Sequence, residues 1–556
     1  MSSRDATPRV HDVLVVGAGF AGMYALHRSL DAGLDAIGVE AGDGVGGTWY
    51  WNRYPGARCD VLSVDYSYSF DEELQHSWVW QERYATQPEI LSYANHVAER
   101  FDLLRQLRFN WRVQRAYFDE DRSIWTVTSE GGETLRARFV LFATGSLSAP
   151  NKPNIAGFDD FAGEVLFTAQ WPPEGASFSG KRVGVIGTGS SGIQSVPIIA
   201  EEAASLTVFQ RSANYSVPAL NRTLTAEEQA EVRAQYQERR RRSRISGGGT
   251  PFDAYDKDAF EIDEQERRTV FEARWQEGGV LFGKTFPNQT VDENVNRLAR
   301  EFAEAKIRAI VEDPQTAEDL IPVDHPIGTK RICTDSNYFE TFNRANVHLV
   351  NLRRELITTI TAGGITTSSR TYELDTIICA TGFDAMTGAL TRIDIRGTRG
   401  HRLRDAWTEG PVTYLGMGIP GFPNLFSITG PGSPSQLANM ILAAEQQVDW
   451  LIELILESAS RGIDEIAVRA DSAAKWTEHV DATACRTLFT KANSWYMGAN
   501  IEGKRRLFMP YIGGFGTYRA ICDEVRADDY EGFVLTARSA VPSDTESIDS
   551  IYSGTS

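Results

Sequence analysis

Residues 13–22 read VLVVGAGFAG. Val13, Leu14, Val15 and Val16 are all apolar and three are β-branched, which predicts a strand buried on both faces of a parallel sheet. Gly17, Gly19 and Gly22 then fit G-x-G-x-x-G at the point where a turn should open into a helix. The first glycine allows the tight turn, the second lets a pyrophosphate approach the backbone, and the third lets helix and strand pack closely. The helix N-terminus offers unpaired N–H groups to the phosphates. The next strand, AIGVE, ends at Glu40. A carboxylate there accepts hydrogen bonds from an adenosine ribose and repels a 2'-phosphate, so the unit is expected to bind FAD or NAD.

The pattern recurs. RVGVI at 182–186 is a second buried strand, followed by Gly187, Thr188, Gly189, Ser190 and Gly192 in GTGSSG, and then by the strand LTVFQR. Arg211 now stands where the acid stood, and a guanidinium there neutralises a 2'-phosphate through a charge-assisted fork. Acid after the first motif and base after the second predict two different dinucleotides, FAD first and NADPH second. The expected fold class is α/β, with two dinucleotide-binding Rossmann-like domains and a helical insertion.

Composition narrows the alternatives. A chain of 556 residues is too long for one compact core. A net charge of -19 argues against nucleic acid as a partner. Five scattered cysteines show neither metal-ligand spacing nor disulfide density, which fits a reducing, cytoplasmic setting. No apolar run reaches the roughly 18 to 20 residues of a membrane span, and no histidine cluster predicts a metal site. The run Arg239 to Arg242 sits in a charged helical pattern and is expected to be a solvated helix face.

After Glu40 comes GDGVGGTWYWNRYPGARCD. Its glycines make a turn able to lie against a flat cofactor, with Gly47, Thr48 and the rings of Trp49, Tyr50 and Trp51 beside it. Asp60 closes the segment and needs a partner if buried. Helical and alternating patterns over 87–135 lead to a strand at 139–143 that ends in Ala-Thr-Gly, and a second Ala-Thr-Gly follows at 380–382. Thr225 with Glu228 fits a capping box, and Ser435 is expected to cap a helix over 435–457. The domains expected from these breaks are an FAD-binding domain from 1–145 and 383–540, and an NADPH-binding domain from 146–221 and 328–382. A mainly helical insertion occupies 222–327 and a flexible tail 541–556.

The chain resembles the flavin-dependent Baeyer–Villiger monooxygenases over about residues 10–530. The resemblance rests on both glycine motifs, on GGTWYWNRYPGARCD at 46–60 and KRICTDSNYFETFN at 330–343, and on GFPNLFSITGPGSP at 421–434 and SWYMGANIEGK at 494–504. It implies FAD and NADPH as cofactors, and dioxygen with a hydrophobic, cyclic ketone as substrates. The implied product is a lactone or ester, formed through a flavin C4a-peroxide. It also implies that Arg331 is the catalytic arginine and that Asp60 orients it. Lys330 joins Arg211 at the 2'-phosphate, and Trp495 helps hold the nicotinamide cofactor. Leu147, Leu437 and Met440 are candidate substrate-pocket residues, and a monomer or weak homo-oligomer is expected.

Two positions depart from the family pattern. Phe167 stands where the fingerprint between Phe161 and Trp171-Pro172 has a histidine, and Leu62 stands where a glutamate is usual. Phenylalanine neither donates nor accepts a hydrogen bond. The alternatives are therefore a related flavin monooxygenase acting on sulfur or nitrogen, an uncoupled NADPH oxidase, and a catalytically silent dinucleotide-binding protein.

Overall fold

The computed structural model describes residues 9–537. The tail at 541–556, and the last residues of the segment ending at 540, lie outside the described residues. The first strand, β1 (Val10–Val16), leads through the glycine turn into α1 (Phe20–Asp31) and on to β2 (Ala36–Val39). Alternate residues of β1 enter different cores. Val13 and Val15 pack with Met23 and Leu26 of α1, while Leu14 and Val16 pack with Val140 and Phe142 on the other face. Strand β1 lies between β2 and the strand Thr134–Phe142, both parallel to it. Strands Ile124–Ser129 and Val113–Asp119 continue the sheet as an antiparallel meander. The stretch 139–143 is thus not a separate strand, because Thr134–Phe142 runs unbroken.

The second sheet is parallel throughout. Its centre is β3 (Arg182–Ile186), which leads into α2 (Ser190–Glu202) and then β4 (Ser205–Gln210). The strand order is Val347–Asn351, β4, β3, Thr376–Cys379, Glu164–Phe167. After the second sheet the chain returns and adds Leu425–Ser427 beside Thr134–Phe142 of the first. The two crossings are hydrogen-bonded to each other, Asn151 N–H to Gly382 O (2.9 Å) and Asp384 N–H to Ala149 O (2.8 Å).

Between the sheets in sequence come helices over Ala226–Ile245 (here α3), Glu264–Glu277, Glu293–Ile310 and Pro314–Leu320. The capping box of α3 is formed, with Thr225 Oγ1 accepting from Glu228 N–H and Glu228 from Thr225 N–H. The arginine run departs from a solvated face. Arg239 makes a two-pronged pair with Asp65, and Arg240 is 3% exposed, its guanidinium filled by Asp65 O, Ser67 Oγ and Gln75 Oε1. The long helix α4 (Met440–Ser460) starts later than expected. Asn439 caps it by accepting from Ile441 N–H, whereas Ser435 sits in a separate short 3₁₀ turn. Among the described residues no helix is long and apolar enough to cross a membrane, and no group of three His, Cys, Asp or Glu is placed to hold a metal ion.

Candidate functional site

Both glycine motifs have the geometry of a dinucleotide cradle. Gly17 has φ +105°, and a Cβ there would lie 2.6 Å from Ala143 O; Gly187 has φ +112°, and a Cβ would lie 2.4 Å from Ala380 O. Each Ala-Thr-Gly segment therefore closes on the first glycine of one motif, where no side chain fits. Gly22 and Gly192 press their backbones onto Gly17 O and Gly187 O. The helices begin at Gly19 and Gly189, neither of which has a side chain to cap the N–H groups, so those donors face outward. Gly189 has open space where a Cβ would project.

Glu40 is 6% exposed and accepts from Ala18 N–H (2.7 Å) and Gly42 N–H (2.9 Å), which fixes its carboxylate at the turn. Gly47 lies against Gly19, since a Cβ on Gly47 would be 2.8 Å from Gly19 Cα, and Thr48 beside it is exposed. Trp49 differs from the expectation of a ring on the cofactor side. It is a core residue, 8% exposed, and its Nε1–H donates to Tyr66 (3.1 Å). Thr188 likewise uses its hydroxyl inside the protein, donating to Ser212 O (2.8 Å), and Ser190 pairs with Cys333 Sγ (3.3 Å). These residues hold the second turn, whose open edge is formed by Gly189 and the exposed Arg211.

The strand Cys333–Asp335 pairs in parallel with Ser216–Pro218, and this short ribbon brings Lys330 and Arg331 alongside the chain that follows β4. The loop before them is clamped by Asn296, which donates to Ile327 O (2.8 Å) and accepts from Ile327 N–H (3.1 Å). Lys330 Nζ lies 3.7 Å from Asp324 Oδ1. Burial, together with the like charges of Arg211 and Arg353, pushes the Lys330 ammonium below its ordinary pKa against the pull of Asp324. Asp324 is itself held below the usual carboxylate range, first by its contact with His325 Nδ1 (2.6 Å) and then by Lys330, and it also pairs with Arg353 (2.7 Å). Three cations against one carboxylate leave a net positive site that fits a 2'-phosphate. Arg353 was not legible in the sequence, where it is one charge of a LRRE stretch.

Arg331 and Asp60, 271 residues apart, form a two-pronged ion pair: Nε donates to Oδ2 (2.5 Å) and one terminal nitrogen donates to Oδ1 (2.6 Å). The other terminal nitrogen donates to Gln436 O (3.0 Å). Burial works against the guanidinium charge, but the charge and hydrogen bonds of Asp60 outweigh it and raise the pKa further. Arg331 therefore stays cationic at any working pH. Tyr496 faces the same guanidinium. Burial pushes its phenol up to about 12, and the charge of Arg331 limits the rise.

Trp495 packs against Tyr496 in a tilted arrangement, with ring centroids 4.0 Å apart. It borders two apolar clusters, one shared with Leu437 and Met497 and the other with Leu147 and Met509, and so links two of the other expected residues. Met440, half-buried, begins α4 directly after the cap. The loop carrying Asp60 is fastened to α2, since Gln194 accepts from Tyr54 (2.8 Å) and donates to Arg58 O (3.2 Å). Trp171 N–H reaches Trp51 O (3.3 Å), so the fingerprint stretch touches the first motif's loop as well. Phe167 fills an apolar cluster beside Phe158, and Leu62 packs against the main core.

Comparison with known proteins places this geometry in context. The chain matches the pyridine nucleotide-disulphide oxidoreductase family model over residues 14–267. It is 41% identical over 528 residues to a Baeyer–Villiger monooxygenase of Pseudooceanicola batsensis, covering 94% of this chain and 96% of the relative. It is also 41% identical over 534 residues to a phenazine N-monooxygenase of Lysobacter antibioticus, covering 94% and 97%. Among solved structures, an oxidised steroid monooxygenase bound to NADP matches with a TM-score of 0.91 and 54% identity, over 95% of this chain and 100% of that one.

Proposed function

Because the chain belongs to the Baeyer–Villiger monooxygenases, FAD- and NADPH-dependent enzymes, we propose that it oxidises a hydrophobic cyclic ketone to its lactone or ester. The observation that carries the proposal is the ion pair between Asp60, in the loop after the first glycine motif, and Arg331, beside the second. Bound FAD and NADPH supply the electrons and the activation of dioxygen.

The remaining work falls to this chain's own side chains. The open N–H groups at Gly19 with Glu40 hold the FAD pyrophosphate and ribose, and Gly189, Arg211, Lys330 and Arg353 hold NADPH. Arg331 is the catalytic residue: a permanent positive charge, fixed in orientation by Asp60 and by Gln436 O, placed where negative charge develops during oxygen transfer. Trp495, Leu147, Leu437 and Met440 form the apolar wall that receives the ketone and excludes water. In this proposal the first sheet with 1–145 and 383–540 is the FAD domain, the second with 146–221 and 328–382 is the NADPH domain, and 222–327 is the helical insertion. Its setting is cytosolic, as a monomer or weak homo-oligomer.

The steroid monooxygenase named above favours a ring ketone over a small linear one. The phenazine N-monooxygenase is the reason to keep nitrogen or sulfur oxygenation as the second reading. The test is NADPH consumption by the FAD-loaded protein in air with cyclohexanone, a steroid ketone, a thioether or a heteroaromatic amine, with product and hydrogen peroxide quantified together. Ketone-stimulated consumption matched by lactone or ester is the expected result. Product from the thioether or amine alone would favour the second reading, and consumption released wholly as hydrogen peroxide would overturn both.

A further inference from the structure

Lys284 is a cation that the reaction outlined above does not use. It ends the short 3₁₀ segment Val280–Lys284, between the buried Phe282 and Phe286. The residue before it, Gly283, abuts Ile332, the neighbour of Arg331; a Cβ on Gly283 would lie 2.8 Å from Ile332 Cδ1. Its ammonium reaches the backbone of Gly248, where a Cβ would lie 3.4 Å from Lys284 Nζ. Gly248 O in turn accepts from Asn439 N–H (2.9 Å), between Leu437 and Met440, and the same loop supplies Gln436 O to Arg331. The ammonium therefore sits where Arg331 and the apolar wall meet.

Three properties distinguish it from an ordinary surface lysine. The side chain is solvent-accessible, while the protein packed around it and, second, the like charge of Arg331 push its pKa down. Among the described residues the ammonium has no carboxylate and no hydrogen-bond acceptor. Nor does Asp60 serve as its partner, since the ion pair that this carboxylate makes is with Arg331. An accessible cation with no acidic partner, beside Arg331 and the apolar wall, is free to pair with an incoming anion. Neutral ketones offer it a carbonyl acceptor but no opposite charge.

We propose that Lys284 binds an anionic substituent, such as a carboxylate, on the ketone substrate, making the enzyme selective for acidic cyclic ketones over their neutral esters. This rests on the Baeyer–Villiger reading. The test compares 4-oxocyclohexanecarboxylate with its methyl ester, first by kcat/KM in wild-type FAD-loaded enzyme and in Lys284→Met and Lys284→Arg. Binding is also followed by the change each compound makes in the flavin absorbance, which needs no turnover. The expected result is an acid-to-ester ratio above ten in the wild type. Lys284→Met should lower it at least tenfold, and Lys284→Arg should restore part of it, in kcat/KM and in binding alike. A wild-type ratio near one, or an unchanged ratio in Lys284→Met, overturns the proposal. A tenfold weakening of NADP+ binding by Lys284→Met also overturns it, by giving the ammonium to a cofactor phosphate. Failure to turn over either compound counts against the Baeyer–Villiger reading, while the absorbance titration still decides the role of Lys284.

Discussion

Asp60 gives both carboxylate oxygens to Arg331, so replacing either oxygen by an amide turns a donor toward a guanidinium that has only donors to offer. Asp60→Asn is expected to lower kcat for ketone oxidation roughly 100-fold, the scale of losing one electrostatic stabiliser at a reacting centre. NADP+ affinity should stay within a few-fold, since Asp60 touches none of the phosphate ligands. Steady-state product formation and an NADP+ titration check this, and an unchanged kcat would remove Asp60 from the positioning role. Neither partner announces the other in the sequence. Asp60 followed four aromatic residues and a proline, and Arg331 was half of a basic pair, so only the family resemblance linked them. Tyr496 and Gln436 were missed for a related reason: one acts through a ring beside a tryptophan already singled out, the other through a main-chain carbonyl that no residue type encodes.

At the scale of elements, local rules were legible wherever the chain satisfies itself. The capping box at Thr225 and Glu228 lies within one turn and forms as expected, whereas the arginines of α3 are decided by a loop at residues 64–68, far away in sequence. Arg240→Met is expected to strip donors from several buried carbonyls and destabilise the fold by about 2–4 kcal/mol. Arg242→Ala, which breaks only an exposed pair with Asp253, should be close to neutral. Denaturant unfolding of the two variants separates these cases, and equal effects would deny Arg240 its clamping role.

Phe167 poses the same question for the strand Glu164–Phe167. Its half-buried ring already packs beside Phe158 against an apolar cluster, so a histidine there would place a polar ring partly among apolar side chains. Phe167→His is expected to cost about 1 kcal/mol and leave the ratio of product to NADPH consumed unchanged. A ratio that rises would mean that the missing imidazole had limited coupling.

Over the whole molecule, fold class was legible because one design appears twice. Each sheet has a buried strand, a glycine turn, and an Ala-Thr-Gly segment whose alanine carbonyl closes on the first glycine. The residues that join the two halves were not legible, because a ribbon pairing Ser216–Pro218 with Cys333–Asp335 depends on contacts across more than a hundred residues. That ribbon ends at Asp335, which is 6% exposed, accepts from Ser216 Oγ (2.5 Å) and Tyr338 N–H (3.2 Å), and has its pKa pushed by burial from 3.8 up to about 6. Below pH 3.8 the group is neutral in folded and unfolded chains alike. Between pH 3.8 and 6 the unfolded chain ionises first, so native stability from this group falls as pH rises. The penalty is complete above pH 6, at ~3 kcal/mol. Asparagine carries no such charge, keeps an acceptor for Tyr338 N–H, and can donate to Ser216 Oγ once that hydroxyl rotates. Asp335→Asn is therefore expected to be more stable than the wild type at pH 7.5, with the gain shrinking steadily toward pH 4. Denaturant unfolding at both pH values measures the difference, and a gain that does not change with pH would mean that Asp335 does not titrate between them.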